Sequence, residues 1–222
     1  MKPIVLHDVE LRHGARVIVS GLSGHLDPGS LTALIGANGA GKTTLLRAIA
    51  GLHPLANGRI DRGALAQSDI ALLPQGSHLD RSFPITCRDV VALGAARLGP
   101  FRAVGAKNLA AARAALQRVG LEDVENRPIQ ALSAGQFQRV LFARTILQDA
   151  SLILLDEPFT AVDAATTRLL LSVIDDWHDQ GRTIVAVLHD LAMVRRHFPH
   201  TLMLTQQTGL WDTLPDIGLQ AA

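Results

Sequence analysis

The chain has 222 residues and is 48% hydrophobic, which is enough for one large domain, or one domain with a sizeable insertion, around a substantial core. Its net charge of +1, with acidic and basic residues interspersed, gives no reason to expect binding to nucleic acid. The beginning, MKPIVLHDVE, does not read as a signal peptide, no run reaches the roughly 18 apolar residues of a membrane span, and the single Cys87 excludes an internal disulfide.

The first thirty residues are short apolar runs separated by turn residues, and we expect strands there. LTALIG, which begins at residue 31, is a continuous apolar run that ends in glycine, as is typical of a buried strand. The next segment, KTTLLRAIAGL, predicts a helix, and GRIDRG and IALLPQ predict two more strands.

Between about residues 80 and 150 the pattern becomes helical, which indicates a helical insertion. TCRDVVALGAARLG, AKNLAAARAALQRVG and AGQFQRVLFARTILQ predict three helices. In the second helix Gly120 is the expected cap, and the shared apolar face consists of Leu109, Ala112, Leu116 and Val119.

After residue 150 buried strands alternate again with helices. SLILLDEP and TIVAVLH predict strands, TTRLLLSVIDDWH and LAMVRRHF predict helices, and TLMLT is expected to close the sheet. This alternation favours an α/β fold with a parallel sheet.

The segment GANGAGKT at 36–43 matches the whole phosphate-loop pattern G-x-x-x-x-G-K-[ST], between a predicted strand and a predicted helix. Its three glycines allow backbone N–H groups to turn onto phosphate oxygens, Lys42 can reach the β- and γ-phosphates, and the Thr43 hydroxyl can ligate Mg²⁺. The residues expected to contact nucleotide here are Gly36, Ala37, Asn38, Gly39, Ala40, Gly41, Lys42, Thr43 and Thr44.

LILLDEP at 152–158 predicts a buried strand with Asp156 and Glu157 at its C-terminal end, where open α/β sheets bind ligands. Asp156 suits the metal, and Glu157 suits a general base that polarises the attacking water. Two such acids can also form an ordinary solvated turn, and adenylate-kinase-like enzymes and GTPases share these two motifs.

Four further motifs occur in a characteristic order: Gln75 in LLPQG, LSAGQ at 132–136, TAVDA around Asp163, and His189 in VLHD. With the phosphate motifs they resemble the ATP-binding-cassette (ABC) ATPases, over essentially the whole chain. The resemblance implies that Gln75 touches Mg²⁺ and the catalytic water and reports to a membrane partner. It also implies that His189 contacts the γ-phosphate and that Asp163 lies at the contact between two ATPase chains.

The family has a P-loop NTPase (RecA-like) core with a mostly parallel sheet, an N-terminal antiparallel β subdomain and a helical insertion. The resemblance therefore implies a single ABC ATPase domain over 1–222. Its parts would be an N-terminal β subdomain at 1–30, a nucleotide-binding core at 31–79 and 151–222, and a helical subdomain at 80–150.

In this family two chains pack head to tail, so that the LSAGQ segment of one faces the phosphate loop of the other around ATP and Mg²⁺. The residues that would complete the partner's γ-phosphate cage are Ser133, Ala134, Gly135 and Gln136. Ala134 stands where the family usually has a second glycine, and His13 stands where an aromatic residue usually stacks on adenine.

The segment after Gln75 resembles the ATPases of zinc, manganese and iron importers through FPIT, the DVV helix and LGPFR at 98–102. The family's membrane permease would dock on Phe83, Pro84, Val90, Val91 and Leu93. The resemblance implies a peripheral ATPase on the cytoplasmic face of the membrane, which acts with that permease and indirectly with an extracytoplasmic metal-binding protein.

Zinc or manganese is the expected cargo. The alternatives are a heme or siderophore-type importer, an exporter or a soluble mechanical complex. A P-loop kinase is disfavoured, because LSAGQ and the pair formed by Gln75 and His189 would have no role in it.

Overall fold

The computed structural model describes residues 2–76, 79–95, 106–205 and 208–212, which form two sheets and six α-helices within those ranges. No helix in these ranges is both long enough and apolar enough to cross a membrane.

The first sheet is antiparallel and three-stranded, in the order β2-β1-β4. Its strands are β1 (Ile4–His13), β2 (Arg16–Leu26) and β4 (Asn57–Asp61). Strand β4 pairs with β1, with Leu6 opposite Ile60. The structure therefore differs from the prediction that assigned all of 31–79 to the nucleotide-binding core, because this strand lies in the N-terminal sheet.

The second sheet has the order β5-β6-β7-β3-β8-β9. Its strands are β3 (Leu31–Gly36), β5 (Ile70–Leu73), β6 (Leu152–Asp156), β7 (Thr183–Val187), β8 (His200–Leu204) and β9 (Gly209–Asp212). Five strands are parallel, and β9 is antiparallel to β8. The expectation that TLMLT closes the sheet is wrong, because β9 adds an edge strand beyond it.

The parallel strands are buried on both faces, which explains their continuous apolar runs. In β6, Ile153 and Leu155 face the cluster formed with the helical region, while Leu152 and Leu154 face the cluster formed with the antiparallel sheet. Around this sheet lie α1 (Lys42–Ile49), α5 (Ala164–Asp179) and α6 (Leu191–His197).

The helical region contains α2 (Cys87–Ala92), α3 (Ala106–Arg118) and α4 (Ala134–Gln148), with 3₁₀ turns at Leu93–Ala95, Glu122–Val124 and Ile129–Ala131. The predicted face of α3 is confirmed: Ala112, Leu116 and Val119 are buried and Leu109 packs against them. Gly120 has φ 67°, as expected for a helix cap. The Phe142 and Trp177 rings stack 6.0 Å apart and join α4 to α5.

Candidate nucleotide-binding and hydrolysis site

The phosphate loop follows β3 and opens α1, as the sequence predicts. Its two ends require glycine. A β-carbon on Gly36 (φ 147°) would lie 2.4 Å from the Leu204 carbonyl oxygen, and one on Gly41 (φ 97°) would lie 2.4 Å from the Ile18 side chain. Gly41 is also the N-cap of α1, so the free N–H groups of the first helical turn are available to an anion.

Lys42 lies under this loop and is only 6% exposed. Its ammonium donates to the carbonyl oxygens of Gly36 at 2.8 Å and Ala37 at 2.9 Å, which uses two of its three N–H groups and closes the loop. Burial lowers the pKa of Lys42, and the negative charges of Glu157 and Asp156 oppose that shift only in part.

A pair of oxygen ligands stands beside the lysine. The Thr43 hydroxyl donates to Oδ1 of Asp156 at 3.0 Å, and Asp156, at the end of β6, is 3% exposed. Hydroxyl and carboxylate oxygens are ligands that Mg²⁺ prefers, and phosphate oxygens usually complete its coordination. The residues present therefore fit a magnesium–nucleotide complex.

Glu157 is the centre of the hydrogen-bond network next to this pair. Its Oε1 lies 2.9 Å from Nε2 of His189, while its Oε2 accepts from Nε2 of Gln75 at 2.8 Å and from the Thr160 hydroxyl at 3.2 Å. The predicted residues thus come together, although Gln75 and Glu157 are 82 positions apart in the chain. Thr160 is not evident from the sequence, where it is only a hydroxyl three residues beyond Glu157.

The electrostatics keep the Glu157 carboxylate ionised. Burial raises its pKa, but the hydrogen bond and charge of His189, the Thr160 hydrogen bond and the Lys42 charge together outweigh burial, so that the net shift is downward. Its backbone has φ 51°, which is costly for a residue other than glycine and is typical of functional sites.

His13 lies at the end of β1, at the edge of a cavity of about 730 Å³ beside the phosphate loop. The same cavity is lined by residues 37–40, by Leu204 and Thr205 of the β8 end, and by Arg16. The position of the imidazole is compatible with a base-stacking role. Arg16 is a further cation at this cavity, and no sequence motif points to it.

The LSAGQ segment forms the start of α4. Ser133 is the N-cap: its hydroxyl accepts from the Gln136 N–H at 3.1 Å, and the Gln136 side chain accepts from the Ser133 N–H at 3.0 Å. This is a capping box, and both Ser133 and Ala134 are exposed. A β-carbon on Gly135 would lie 2.7 Å from the Ala161 carbonyl oxygen, so glycine is needed at 135 while alanine fits at 134.

Within the described part of the chain, no hydrogen bond joins residues 133–136 to residues 36–44. Asp163, in the turn next to Gly135, caps α5 by accepting from the Thr166 N–H at 2.7 Å, and this hydrogen bond lowers its pKa. The phosphate loop and the start of α4 are therefore separate within a single chain, and each lies at a helix N-terminus.

The predicted docking residues divide into two groups. Phe83 and Leu93 are exposed by 67% and 49%, and Pro84 is exposed as well. Val91 is fully buried in the core, so its assignment to a docking surface is wrong, and Val90 packs against the same core. The LGPFR segment at 98–102 lies outside the described residues.

Comparison with known proteins identifies the family. The family model described as ABC transporter matches residues 19–160. The zinc transport system ATP-binding protein TroB of Treponema pallidum is 38% identical over 90% of this chain and 77% of its own length. The manganese transport system ATP-binding protein MntB of Bacillus subtilis is 36% identical, over 92% and 84% respectively.

Solved structures agree in fold. A bacterial Atm1-family ABC exporter with ATP bound has a TM-score of 0.77 and 25% identity, over 93% of this chain and 37% of that one. A dimeric ATP-binding cassette bound to ADP and phosphate has a TM-score of 0.84 and 22% identity, over 96% and 100%. The predicted α/β P-loop fold and ATPase activity are confirmed, and the chain belongs to the ABC transporter family.

Proposed function

We propose that this chain hydrolyses ATP to drive the import of a divalent metal ion, zinc or manganese, through a separate membrane permease. The structural observation that carries the proposal is the Glu157 carboxylate, held between Gln75 and His189 next to the paired Thr43 and Asp156. The cargo is inferred from the relatives, which are named as ATP-binding proteins of zinc and manganese transport systems.

Each polar group has a distinct role in this proposal. The phosphate-loop N–H groups and Lys42 bind the phosphates, and Glu157 takes a proton from the attacking water while Gln75 and His189 hold its carboxylate in place. Mg²⁺, held by Thr43 and Asp156, would neutralise charge that develops on the phosphate oxygens.

Two copies would form two composite ATP sites, each with Lys42 from one copy and Ser133 from the other. The separation of the phosphate loop from the start of α4 supports this arrangement, since within the described residues no hydrogen bond joins the exposed Ser133 to the phosphate loop of its own chain. ATP would then stabilise the closed dimer, and hydrolysis would release it.

A mixture of two damaged chains tests the composite site. Lys42→Ala and Ser133→Arg homodimers should be nearly inactive, whereas a mixed dimer contains one wholly intact site. A γ-phosphate crosslinker should therefore join ATP to the Ser133 segment of the Lys42→Ala chain only after mixing. A crosslink confined to one chain, or none on mixing, would disprove the head-to-tail arrangement.

The exposed Phe83 and Leu93 support docking of an apolar segment of the permease on the helical region. We assign permease docking to residues 80–150 and nucleotide binding to residues 31–56, 62–79 and 151–222. The permease would hold the chain at the cytoplasmic face of the membrane. Phe83→Asp should then abolish co-purification with the permease and leave the ATP affinity of the free chain unchanged.

Uptake by cells tests the cargo. Cells that depend on this chain should lose uptake of radioactive zinc or manganese when it carries Glu157→Gln, by about 10²-fold if transport follows hydrolysis. The matched control is Asp175→Asn, on the outer part of α5. Normal uptake of both ions in the Glu157→Gln cells would refute metal import and would favour another cargo or export.

A further inference from the structure

Gln138 is a buried polar residue of α4 to which the proposed mechanism gives no role. It is 3% exposed, and its Nε2 donates to the carbonyl oxygen of Pro158 at 3.1 Å. Its Oε1 lies 2.6 Å from the position that a β-carbon on Gly76 would occupy, so this amide packs directly on the Gly76 backbone.

Both neighbours directly follow residues of the hydrolysis site. Pro158 comes after Glu157, and Gly76 comes after Gln75. Glu157 and Gln75 are themselves hydrogen-bonded at 2.8 Å. The Gln138 amide therefore contacts both the residue that follows Glu157 and the residue that follows Gln75.

We propose that Gln138 is a positioning residue, which holds Glu157 and Gln75 in the relative placement needed for hydrolysis. It lies in the second turn of α4, whose first residues follow the Ser133 cap, so it also connects the start of that helix to the chain's own base. The proposal rests on the proposed ATPase mechanism. It adds a structural connection between the start of α4 at Ser133 and Glu157.

The strained backbone of Glu157 is a reason for such support. Its φ of 51° must be maintained by surrounding contacts, and the Pro158 carbonyl is the next polar backbone group along the chain. Thr145, another buried polar residue of α4, provides a contrast: its hydroxyl donates at 3.0 Å to the carbonyl oxygen of Leu141, within the same helix.

The variant Gln138→Met keeps the length of the side chain and removes the donor. We expect kcat for ATP hydrolysis to fall about 10–100-fold, as for the loss of groups that orient catalytic residues. The Michaelis constant for ATP should stay within a factor of about 3, because Lys42 and the phosphate loop are untouched. Thr145→Val is the control, with a lost buried hydrogen bond on the same helix and unchanged kcat.

A double-mutant cycle separates positioning from general loss of structure. If Gln138 acts through Gln75 and Glu157, then Gln138→Met should lower kcat much less in a Gln75→Ala background than in the wild type. A purely structural role gives the same fold loss in both backgrounds. Equal losses, or a Gln138→Met kcat within a factor of about 3 of the wild type, would overturn the proposal.

Gly76→Ala is the second variant if Gln138→Met does not fold. It keeps Gln138 in the sequence but displaces its side-chain amide with one methyl group, and it should lower kcat in the same way. Unchanged kcat in a folded Gly76→Ala protein would overturn the proposal. The loss of hydrolysis in Glu157→Gln tests the proposed ATPase mechanism separately, because that variant leaves Gln138 and Gly76 unchanged.

Discussion

Replacing Glu157 with glutamine removes the proposed base and keeps nearly the same side-chain shape. The carboxylate makes three contacts, and two of its partners, Gln75 and Thr160, donate to Oε2. The new amide should keep its oxygen on that side and turn its NH₂ toward His189, whose ring nitrogen can accept in its other tautomer. The network is thereby preserved, so the loss is one of basicity.

The expected loss in kcat is at least about 10²-fold, which corresponds to about 2.7 kcal/mol of transition-state stabilisation. ATP affinity should hold, because Lys42 and Thr43 do not rely on this side chain for position. Steady-state hydrolysis gives kcat, fluorescent-nucleotide titration gives affinity, and size-exclusion chromatography with ATP should reveal a trapped dimer. Hydrolysis within about threefold of the wild type would refute Glu157 as the base.

Three further predictions test other parts of the structure. Gly135→Ala places a methyl group 2.7 Å from a backbone carbonyl oxygen and should lower the free energy of unfolding in urea by about 1–3 kcal/mol. Its control is Ala134→Gly, at an exposed position, which should keep nucleotide-dependent dimerisation. Phe142→Ala removes a fully buried stacked ring and should cost about 3–5 kcal/mol, also measured with urea; a loss below about 1 kcal/mol would contradict the packing. His189→Ala removes the hydrogen bond and charge that lower the pKa of Glu157, while burial, which raises that pKa, remains. In a pH profile of the residual kcat, the fall at low pH should therefore begin at a higher pH than in the wild type. An unchanged profile would show that His189 does not set the pKa of Glu157.

The local sequence pattern was sufficient to predict a structural feature wherever the residues that determine it lie close together in the sequence. The phosphate loop could be predicted because its glycines, Lys42 and Thr43 form one continuous segment between a strand and a helix. The start of α4 could be predicted in the same way, since Ser133 and Gln136 are a capping box within one turn.

Pairing between distant segments could not be derived from local pattern. Strand β4 reads like any other short strand, and only the register of Ile60 with Leu6 assigns it to the N-terminal sheet. Val91 and Leu93 are equally apolar, but the helix ends between them and turns one inward and the other outward. The contacts of Gln138 and Thr160 depend in the same way on elements that meet only in the folded chain.

The order of the large sheet has a consequence for synthesis on the ribosome. Strand β3, which carries the phosphate loop, lies between β7 and β8, and these neighbours emerge about 150 residues later. At translation rates of about 5–20 residues per second, that interval is roughly 8–30 s, during which an apolar strand has no partner on either side. The nascent chain therefore spends that time exposed to aggregation, and it acquires the nucleotide cavity, which both His13 and Leu204 line, only after β8 has been made.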